Sequence, residues 1–392
     1  MQLKLPDFIT KIIKTLESHN FEAYCVGGAV RDMLIGDTPF DFDIATNAPA
    51  DTVMQLFDKV IPTGLKHGTV TVIVENNAVE ITTYRIDSGY TDSRHPDFIS
   101  YANDITEDLS RRDFTINAIA LNRKIVDPFN GKRDLELKTI KTVGDPDMRL
   151  REDALRILRA FRFSSQLDFT IEKNTLQSCI LNGHLLSKIS RERIYSELKK
   201  LLTGKNPYII STLVNNNILS FLGLCPNYIP KEINLLDNIL PLRLAVLCYY
   251  CGVYSKKILK NLHADTKTLT KVLIFEQFLY NKPPNYFAEF KRIFAFLSPD
   301  EWNALLDARR ILFNEDNCFL KYFTAKITSE NQPYKISMLN ISGTDLKRIG
   351  YTGKQLVIEF NRLLDACLYS PEKNKKDELI KLAIDDFKQS LY

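Results

Sequence analysis

The chain has 392 residues, of which 45% are hydrophobic and 26% are charged, and its formal net charge is only +4. This length allows roughly two to four compact units, and the composition is that of an ordinary globular protein. The charge is too small to indicate a nucleic-acid partner without a local basic surface, and seven scattered cysteines argue against a disulfide framework.

The N-terminal 20 residues intersperse lysines among apolar residues at helical spacing. This pattern predicts an amphipathic helix and excludes a signal peptide, which needs an uninterrupted apolar core. The most apolar later stretch, residues 242–253, contains Arg243 and is too short to span a bilayer. We therefore expect a cytoplasmic protein without a membrane partner.

Helix and strand signals are mixed between residues 21 and 140. Residues 21–36 predict a short strand, a glycine turn and a helix, and residues 40–46 predict a strand with alternating faces. Residues 50–60 predict a short helix. Residues 69–85 predict a β-hairpin that turns at Asn76 and Asn77.

From Gly144 onward nearly every segment shows the 3.6-residue period of an α-helix. The sequence therefore predicts an α+β head followed by an all-helical remainder, in which the CxxC spacing of Cys248 and Cys251 reflects core packing. Proline positions suggest boundaries within that remainder. The predicted domains are residues 1–140, 141–205, 206–282 and 283–392.

The first chemical constellation comprises a glycine pair, Gly27 and Gly28, and two acids, Asp41 and Asp43. Two carboxylates at positions i and i+2 of a strand point to the same face, where a divalent cation such as Mg²⁺ relieves their repulsion. The glycines allow backbone N–H groups to approach a phosphate, and Arg31 adds a bidentate donor. The alternative is an exposed strand edge beside an ordinary turn.

Five stretches in order resemble class II tRNA nucleotidyltransferases and bacterial poly(A) polymerases, which belong to the DNA polymerase β superfamily. The resemblance is dense between residues 21 and 205 and returns weakly near ISGTDLKRIGYTGKQL at 341–356. The five stretches are GGAVRDMLIGDTPFDFDIAT at 27–46, RRDFTINAIA at 111–120, DPFNGKRDL at 127–135, EDALRILRAFRF at 152–163 and SRERIYSELKKLL at 190–202.

This resemblance implies a polymerase-β-like head with a small mixed sheet, followed by helical neck, body and tail. It implies that Asp41 and Asp43 hold two Mg²⁺ ions, one activating the RNA 3′-hydroxyl and the other steadying the triphosphate and the leaving pyrophosphate. Glu80 is a candidate for the third carboxylate that many superfamily members use. It is equally well explained as a solvent-facing strand residue.

A second constellation follows in the neck. Helical steps of three residues would keep Asp153, Arg156, Arg159 and Arg162 on one stripe, which is preceded by Glu152. The resemblance places the base-reading motif here. A carboxylate can accept from the amine of cytosine or adenine while a guanidinium donates to the adjacent ring nitrogen, so Asp153 and Arg156 could act as a protein template. The alternative is a solvated helix face with i,i+3 salt bridges.

Two further elements are implied by the resemblance. Arg112 and Asp113 help hold the incoming nucleotide, although Asp113 is also explained as a first-turn acid at a helix start. Residues 85–98 resemble the flexible loop of full CCA-adding and A-adding enzymes. Arg85, Asp92 and Arg94 are then candidates for switching the pocket from C to A, unless the segment is only a connecting loop.

The function implied is template-independent addition of CMP and AMP, from CTP and ATP, to the 3′ end of tRNA. The implied RNA contacts are the acceptor stem and T arm, recognised by shape and backbone, with residues 343–354 as a candidate phosphate-binding segment or simply two helices turning on glycines. An A-adding enzyme, a poly(A) polymerase and a catalytically dead RNA-binding relative remain alternatives. Monomer and homodimer both remain open.

Overall fold

A computed structural model describes residues 3–88, 98–102, 104–225, 227–280, 286–315 and 317–389. The chain divides into unit 1, Met1–Tyr228 with Asn261–His263, and unit 2, Ile229–Lys260 with Ala264–Tyr392. The finer division into four domains stays a prediction. Across the described ranges, no helix combines the length and the apolar character that crossing a membrane requires.

Unit 1 contains a mixed sheet with helices around it, and unit 2 is helical, so the predicted α+β class is confirmed. The strands of unit 1 are β1 (Ala23–Val26), β2 (Asp43–Thr46), β3 (Val60–Gly64), β4 (Thr69–Val74), β5 (Asn77–Thr83), β6 (Arg85–Ser88), β7 (Phe98–Tyr101), β8 (Ala120–Leu121), β9 (Ile125–Val126), β10 (Thr139–Ile140) and β11 (Thr170–Ile171). Its helices are α1 (Asp7–Ser18), α2 (Gly28–Ile35), α3 (Ala50–Leu56), α4 (Ile105–Ser110), α5 (Gly131–Glu136), α6 (Pro146–Glu152), α7 (Leu155–Leu167), α8 (Lys173–Asn182), α9 (Arg191–Leu202) and α10 (Ile210–Asn215).

The main sheet has the strand order β3-β4-β5-β2-β1-β8-β9. Strands β2 and β5 run parallel and the other neighbours run antiparallel, which makes the sheet mixed, as expected. The predicted amphipathic helix is α1, and it buries Ile9, Ile12, Ile13 and Leu16 because these residues recur at helical spacing. A fully buried cluster that includes Tyr84 and Leu109 supports the sheet.

The β4–β5 hairpin turns one residue earlier than the sequence predicts. Val74 pairs with Asn77, and the two turn residues are Glu75 and Asn76, with φ of 53° and 64°. Two central residues with positive φ are typical of the two-residue turns that suit the twist of a hairpin. Placing the turn at Asn76 and Asn77 would slide the pairing by two residues and set Val79 opposite Val74 instead of the buried Val72.

The helical region after Gly144 contains one small exception. Strand β11 pairs in parallel with β10, which lies just before Gly144, through two residues of each strand. This pair joins the end of the predicted head, residues 1–140, to the segment that follows α7. Its two-residue strands are too short to produce a visible alternation in the sequence.

Unit 2 is built from helices whose starts are marked by capping residues. Ser298 and Ser342 each form a capping box, with Glu301 and Asp345 respectively. The side chain of Trp302 is fully buried, and Cys248 and Cys251 are buried and free, in agreement with core packing. The helices are α11 (Leu240–Tyr250), α12 (Ser255–Asn261), α13 (Thr266–Tyr280), α14 (Phe287–Phe294), α15 (Pro299–Phe313), α16 (Cys318–Ser329), α17 (Gly343–Ile349), α18 (Lys354–Tyr369) and α19 (Lys376–Gln389).

Candidate active site

An open cavity of about 650 Å³ in unit 1 brings together most of the residues that the sequence singles out. The glycine turn and the two acids of β2 line one part of it, and the start of α7 lines another. The predicted site residues that line the cavity are Gly28, Arg31, Asp41, Asp43, Arg112, Asp113, Asp153, Arg156, Arg159 and Arg162. Residues from three separate sequence motifs therefore share one site.

The glycine turn has a steric reason to be glycine. Gly27 has a φ of +74°, and a Cβ added there would lie 3.0 Å from Nη1 of Arg112 and 3.7 Å from Oδ2 of Asp43. Any side chain would therefore be strained in its backbone and would press on the Arg112 guanidinium. Gly28 then begins α2, so backbone without side chains faces the cavity at Gly27 and Gly28.

Asp41 and Asp43 both face solvent, and neither forms a hydrogen bond or ion pair with any residue in the described ranges. The expectation that both lie on a strand is wrong: β2 begins at Asp43, and Asp41 lies in the extended segment before it. The expected alternation of faces is also wrong, because Ile44, Ala45 and Thr46 are all buried. A strand in the middle of a covered sheet is buried on both faces, which removes the alternation.

The pKa of Asp43 is raised above its ordinary value. The main cause is burial against the cavity wall; the Arg112 guanidinium opposes the rise, and the carboxylates of Glu80 and Asp41 add to it. Part of the Asp43 surface remains open to solvent, so the carboxylate is desolvated from the protein side and accessible from the cavity side. A cation at this place would relieve the repulsion between the carboxylates.

Glu80 lies beside Asp43 because β2 and β5 pair in parallel with these two residues opposite each other. Residues that are directly paired across neighbouring strands point to the same face. Within the described ranges, no three His, Cys, Asp or Glu side chains form a ready-made metal cluster. Two unpaired carboxylates with a third on the next strand are still the donor set that a hard divalent cation takes, and the role of Glu80 stays a prediction.

The prediction that one helix carries the stripe from Asp153 to Arg162 is wrong. Helix α6 ends at Glu152, Asp153 adopts an extended backbone with φ −139° and ψ 102°, and α7 begins at Leu155. One Asp153 oxygen accepts a hydrogen bond from the backbone N–H of Leu155 at 3.1 Å. The other accepts from Nη2 of Arg193, also at 3.1 Å.

Arg156 is held by groups other than Asp153. Its Nη1 donates to the Glu152 carboxylate at 2.5 Å and to the backbone carbonyl of Arg149 at 2.8 Å, and its Nη2 donates to the carbonyl of Arg111 at 3.1 Å. The i,i+3 salt bridge between Asp153 and Arg156 that the alternative interpretation requires does not form. Each member of the pair is oriented by its own partner, and both line the cavity.

The buried Asp113 and the half-buried Arg159 form an ion pair, with an Nη2–Oδ2 distance of 2.6 Å. Burial alone would raise the pKa of Asp113, but the Arg159 charge and a hydrogen bond from Asn117 outweigh it and lower that pKa well below its usual range. Asp113 is therefore ionised at neutral pH. The neighbouring Arg112 pairs instead with the buried Asp108, at 3.2 Å.

The Phe163 ring gathers three of the arginines that line the cavity. The guanidinium carbons of Arg162, Arg31 and Arg159 lie 3.9, 5.1 and 5.3 Å from the ring centroid. Arg162 also pairs with Glu197 at 2.7 Å, and Arg31 donates to Asn117 at 2.8 Å. A cation held over an aromatic face keeps its charge while it is partly desolvated, so these guanidinium groups are fixed before any anion binds.

Two of the three loop candidates, Asp92 and Arg94, lie outside the described residues. The third, Arg85, begins β6 and donates a hydrogen bond from Nη1 to the backbone carbonyl of His67 at 2.8 Å. The expectation of an irregular loop from residue 85 to residue 98 is wrong at its ends, because β6 pairs antiparallel with β7.

Sequence reasoning missed two residues of α9, namely Arg193 and Glu197. They are four positions apart and face the cavity side of unit 1, where they pair with Asp153 and Arg162 respectively. Their stretch, SRERIYSELKKLL, carries no assigned role in the sequence interpretation. The available signal was their i,i+4 spacing with opposite charges, which reads equally well as a pair on one helix surface.

Two family models match the chain. Residues 23–141 match the model described as Poly A polymerase head domain, and residues 168–224 match the one described as Probable RNA and SrmB- binding site of polymerase A. The resemblance indicated by the five sequence motifs is therefore confirmed. Nucleotidyltransferases of this family generally use divalent metal ions, which agrees with the unpaired acids at Asp41 and Asp43.

Individual relatives give the same result. The CCA-adding enzyme of Lactobacillus helveticus (strain DPC 4571) is 46% identical over 230 residues, which cover 56% of this chain and 58% of that protein. The one from Geobacillus thermodenitrificans (strain NG80-2) is 50% identical over 195 residues, covering 49% and 48%. The chain thus matches about half the length of these curated relatives. The solved Bacillus stearothermophilus CCA-adding enzyme in complex with CTP is 28% identical, covers 98% of both chains and superposes with a TM-score of 0.77.

Proposed function

We propose that the chain is a CCA-adding tRNA nucleotidyltransferase, because its residues 23–141 match the model described as Poly A polymerase head domain. It transfers CMP and AMP from CTP and ATP to the 3′ end of tRNA and releases pyrophosphate. The observation that carries the proposal is one cavity in which two carboxylates without ion-pair partners lie with oriented arginines and with the half-buried Asp153 and Arg156 at a helix break. The similar Bacillus stearothermophilus enzyme is described in complex with CTP.

The carboxylate side of the cavity serves phosphoryl transfer. Asp41 and Asp43, assisted by Glu80, are the residues that would hold Mg²⁺, since their oxygens form no hydrogen bond or ion pair with the described side chains. A bound divalent ion supplies Lewis-acid stabilisation of charge on the reacting phosphate and on the oxygens of the attacking and leaving groups. The bare backbone at Gly27 and Gly28 gives phosphate oxygens close access to N–H donors.

The arginine side binds the triphosphate. Arg31, Arg159 and Arg162 already lie around the Phe163 ring, and Arg112 approaches the Gly27 turn beside Asp43. Guanidinium groups that are fixed in place lose little entropy when they bind phosphate oxygens, and they stabilise the negative charge of the transition state. Asp113 orients Arg159 through this ion pair and does not itself contact phosphate.

Asp153 and Arg156 provide base selection. Each oxygen of Asp153 carries one hydrogen bond from the protein, which leaves acceptor capacity for the amine of cytosine or adenine. Arg156 donates to the adjacent ring nitrogen. Uracil and guanine present a carbonyl and a ring N–H in these places, so a base of that kind would set acceptor against acceptor at Asp153.

The decisive experiment offers the purified protein three tRNA transcripts. One lacks the whole CCA end, one lacks only the terminal A, and one is complete, and each is incubated with CTP, ATP or both. We expect growth to a CCA end and then arrest, as read by sequencing the product ends. Addition of A alone would identify an A-adding enzyme, unlimited A addition a poly(A) polymerase, and no addition to any transcript a catalytically inactive RNA-binding protein.

A further inference from the structure

Phe40 is 95% exposed although it lines the active-site cavity next to Asp41. It forms no hydrogen bond, ion pair or ring contact with any side chain that the structure describes. Phe42, two residues later, instead packs edge-on against Phe8, with ring centroids 5.6 Å apart. Phe40 is therefore an aromatic surface that the fold itself does not use.

The other aromatic ring of the cavity is already covered. Phe163 has three guanidinium groups within 5.3 Å of its centroid, and Phe114 packs against it with a centroid distance of 5.7 Å. A planar ligand group that enters the cavity finds no free face there. Of these two rings, Phe40 is the one that still offers a face for stacking.

We propose that Phe40 stacks against the 3′-terminal base of the RNA acceptor, an inference that rests on the proposed function. When the triphosphate lies among the arginines, the attacking 3′-hydroxyl must lie on the carboxylate side, beside Asp41 and Asp43. The terminal nucleoside that carries this hydroxyl then passes next to Phe40, the chain neighbour of Asp41. Unpaired nucleotides are commonly held by stacking on aromatic side chains.

Stacking also suits the changing acceptor. Each addition gives the RNA a new terminal base, so a hydrogen-bonding pocket built for one base would reject the next. An aromatic face accepts any base because every base has a π-face. The Asp153–Arg156 pair selects the incoming base, whereas Phe40 holds the outgoing end without selecting it.

The kinetic test replaces Phe40 by alanine and by tyrosine and uses a tRNA minihelix that lacks the terminal A. We expect Phe40→Ala to lower kcat/KM for the RNA by about 5- to 150-fold, the range typical of one lost base stack, and Phe40→Tyr to keep most of it. Because Phe40 is exposed, folding should not change. ATP affinity measured without RNA should also stay the same. Tyr254→Ala, at an 86% exposed aromatic that does not line the cavity, is the matched control.

A binding test reports on the contact directly. In Phe40→Trp, the new indole is exposed, whereas the chain's single natural tryptophan, Trp302, is fully buried and gives the background seen with the unsubstituted protein. A minihelix with an intact terminal base should quench the new fluorescence, and the same minihelix with an abasic 3′-terminal nucleotide should quench it much less.

Equal quenching by the two RNAs, or an unchanged kcat/KM for Phe40→Ala, would overturn the stacking assignment while the proposed function stands. If the unsubstituted protein adds no nucleotide to any acceptor, the proposed function fails instead. A Phe40→Ala protein that loses ATP affinity together with RNA affinity would also reject the assignment, because stacking on the acceptor leaves the nucleotide side unaffected.

Discussion

The two sides of the cavity treat acidic side chains in opposite ways. On the side of β2, Asp41 and Asp43 have no partner among the described residues, and the pKa of Asp43 is raised. On the side of α7, each acid that approaches the cavity has an arginine partner, as Asp113 has Arg159. The unpaired acids gain by binding a cation, whereas the paired acids mainly hold donors in place.

The largest expected loss of activity follows from substituting the acids without ion-pair partners, Asp41 and Asp43. Asp41→Asn or Asp43→Asn should lower nucleotide addition by about a thousandfold or more, because metal ions supply several kcal/mol of transition-state stabilisation. Binding of tRNA should change little. The measurement is single-turnover addition together with a filter-binding titration. Asp37→Asn is the matched control, since Asp37 is exposed nearby but does not line the cavity. Substantial turnover in either variant would contradict the metal assignment.

A smaller effect, on discrimination between nucleotides, is expected at the residues proposed to contact the base, Asp153 and Arg156. Asp153→Ala and Arg156→Ala should each lose about 1–3 kcal/mol of discrimination, or about 5- to 150-fold, against UTP and GTP. Arg159→Ala should instead weaken the use of all four nucleotides alike, because it serves the triphosphate. The comparison is kcat/KM for each nucleotide on one tRNA substrate. If Asp153→Ala slows all four by a common factor, Asp153 does not read bases.

The contacts of Asp153 also show what the sequence could and could not predict. Five local motifs were enough to indicate the head, its sheet and the residues of the cavity. The helix break at Asp153 was not predictable, because EDALRI contains neither glycine nor proline and is made of residues that helices tolerate well. The break coincides with an ion pair to Arg193, forty residues later, and long-range pairs of this kind leave no local signal.

The position of the β4–β5 hairpin turn was predicted wrongly for a related reason. Consecutive asparagines favour a turn at Asn76 and Asn77, yet the pairing of β4 with β5 sets the turn at Glu75 and Asn76. Glu75 accepts a positive φ there, which is uncommon for glutamate. The observed register pairs the buried Val79 and Ile81 with the buried Val72 and Val70, and this packing offsets that local cost.

A sharper test of base selection removes only Arg193, which donates a hydrogen bond to Asp153. Arg193→Ala should reduce discrimination against UTP and GTP by about 3- to 10-fold, since one hydrogen bond that orients the carboxylate is lost. Arg193→Lys should restore part of the effect. Lys200→Ala is the control, because Lys200 is an exposed cation on the same helix.

The double variant Asp153→Ala/Arg193→Ala decides whether Arg193 acts through Asp153. If it does, the double variant should discriminate no worse than Asp153→Ala alone, since coupled residues are not additive. Fully additive losses would show that Arg193 has a separate role in the cavity.

The smallest effect concerns a buried cation without an acidic hydrogen-bond partner, in unit 2. Lys291 of α14 is 1% exposed and donates to Oε1 of Gln332 at 3.0 Å. Its pKa is lowered from 10.5 to about 8, mainly by burial and in part by Lys326, while Cys367, Glu330 and Glu372 oppose the shift.

Between pH 8 and 10.5 the folded protein therefore binds fewer protons at this lysine than the unfolded chain does, so stability should rise with pH through that window. Below pH 8 both states carry the proton and this contribution is flat. Lys291→Met should remove the slope, because a thioether of similar length fills the site without a charge. The measurement is the difference in free energy of unfolding between the two proteins, by urea titration, at pH 7.5, 9 and 10. A constant difference across the three pH values would show that Lys291 keeps its ordinary pKa in the folded protein. In that case Glu330 and Glu372, together with the hydrogen bond to Gln332, would be enough to keep the buried Lys291 ammonium charged, much as carboxylates hold the arginines beside the cavity.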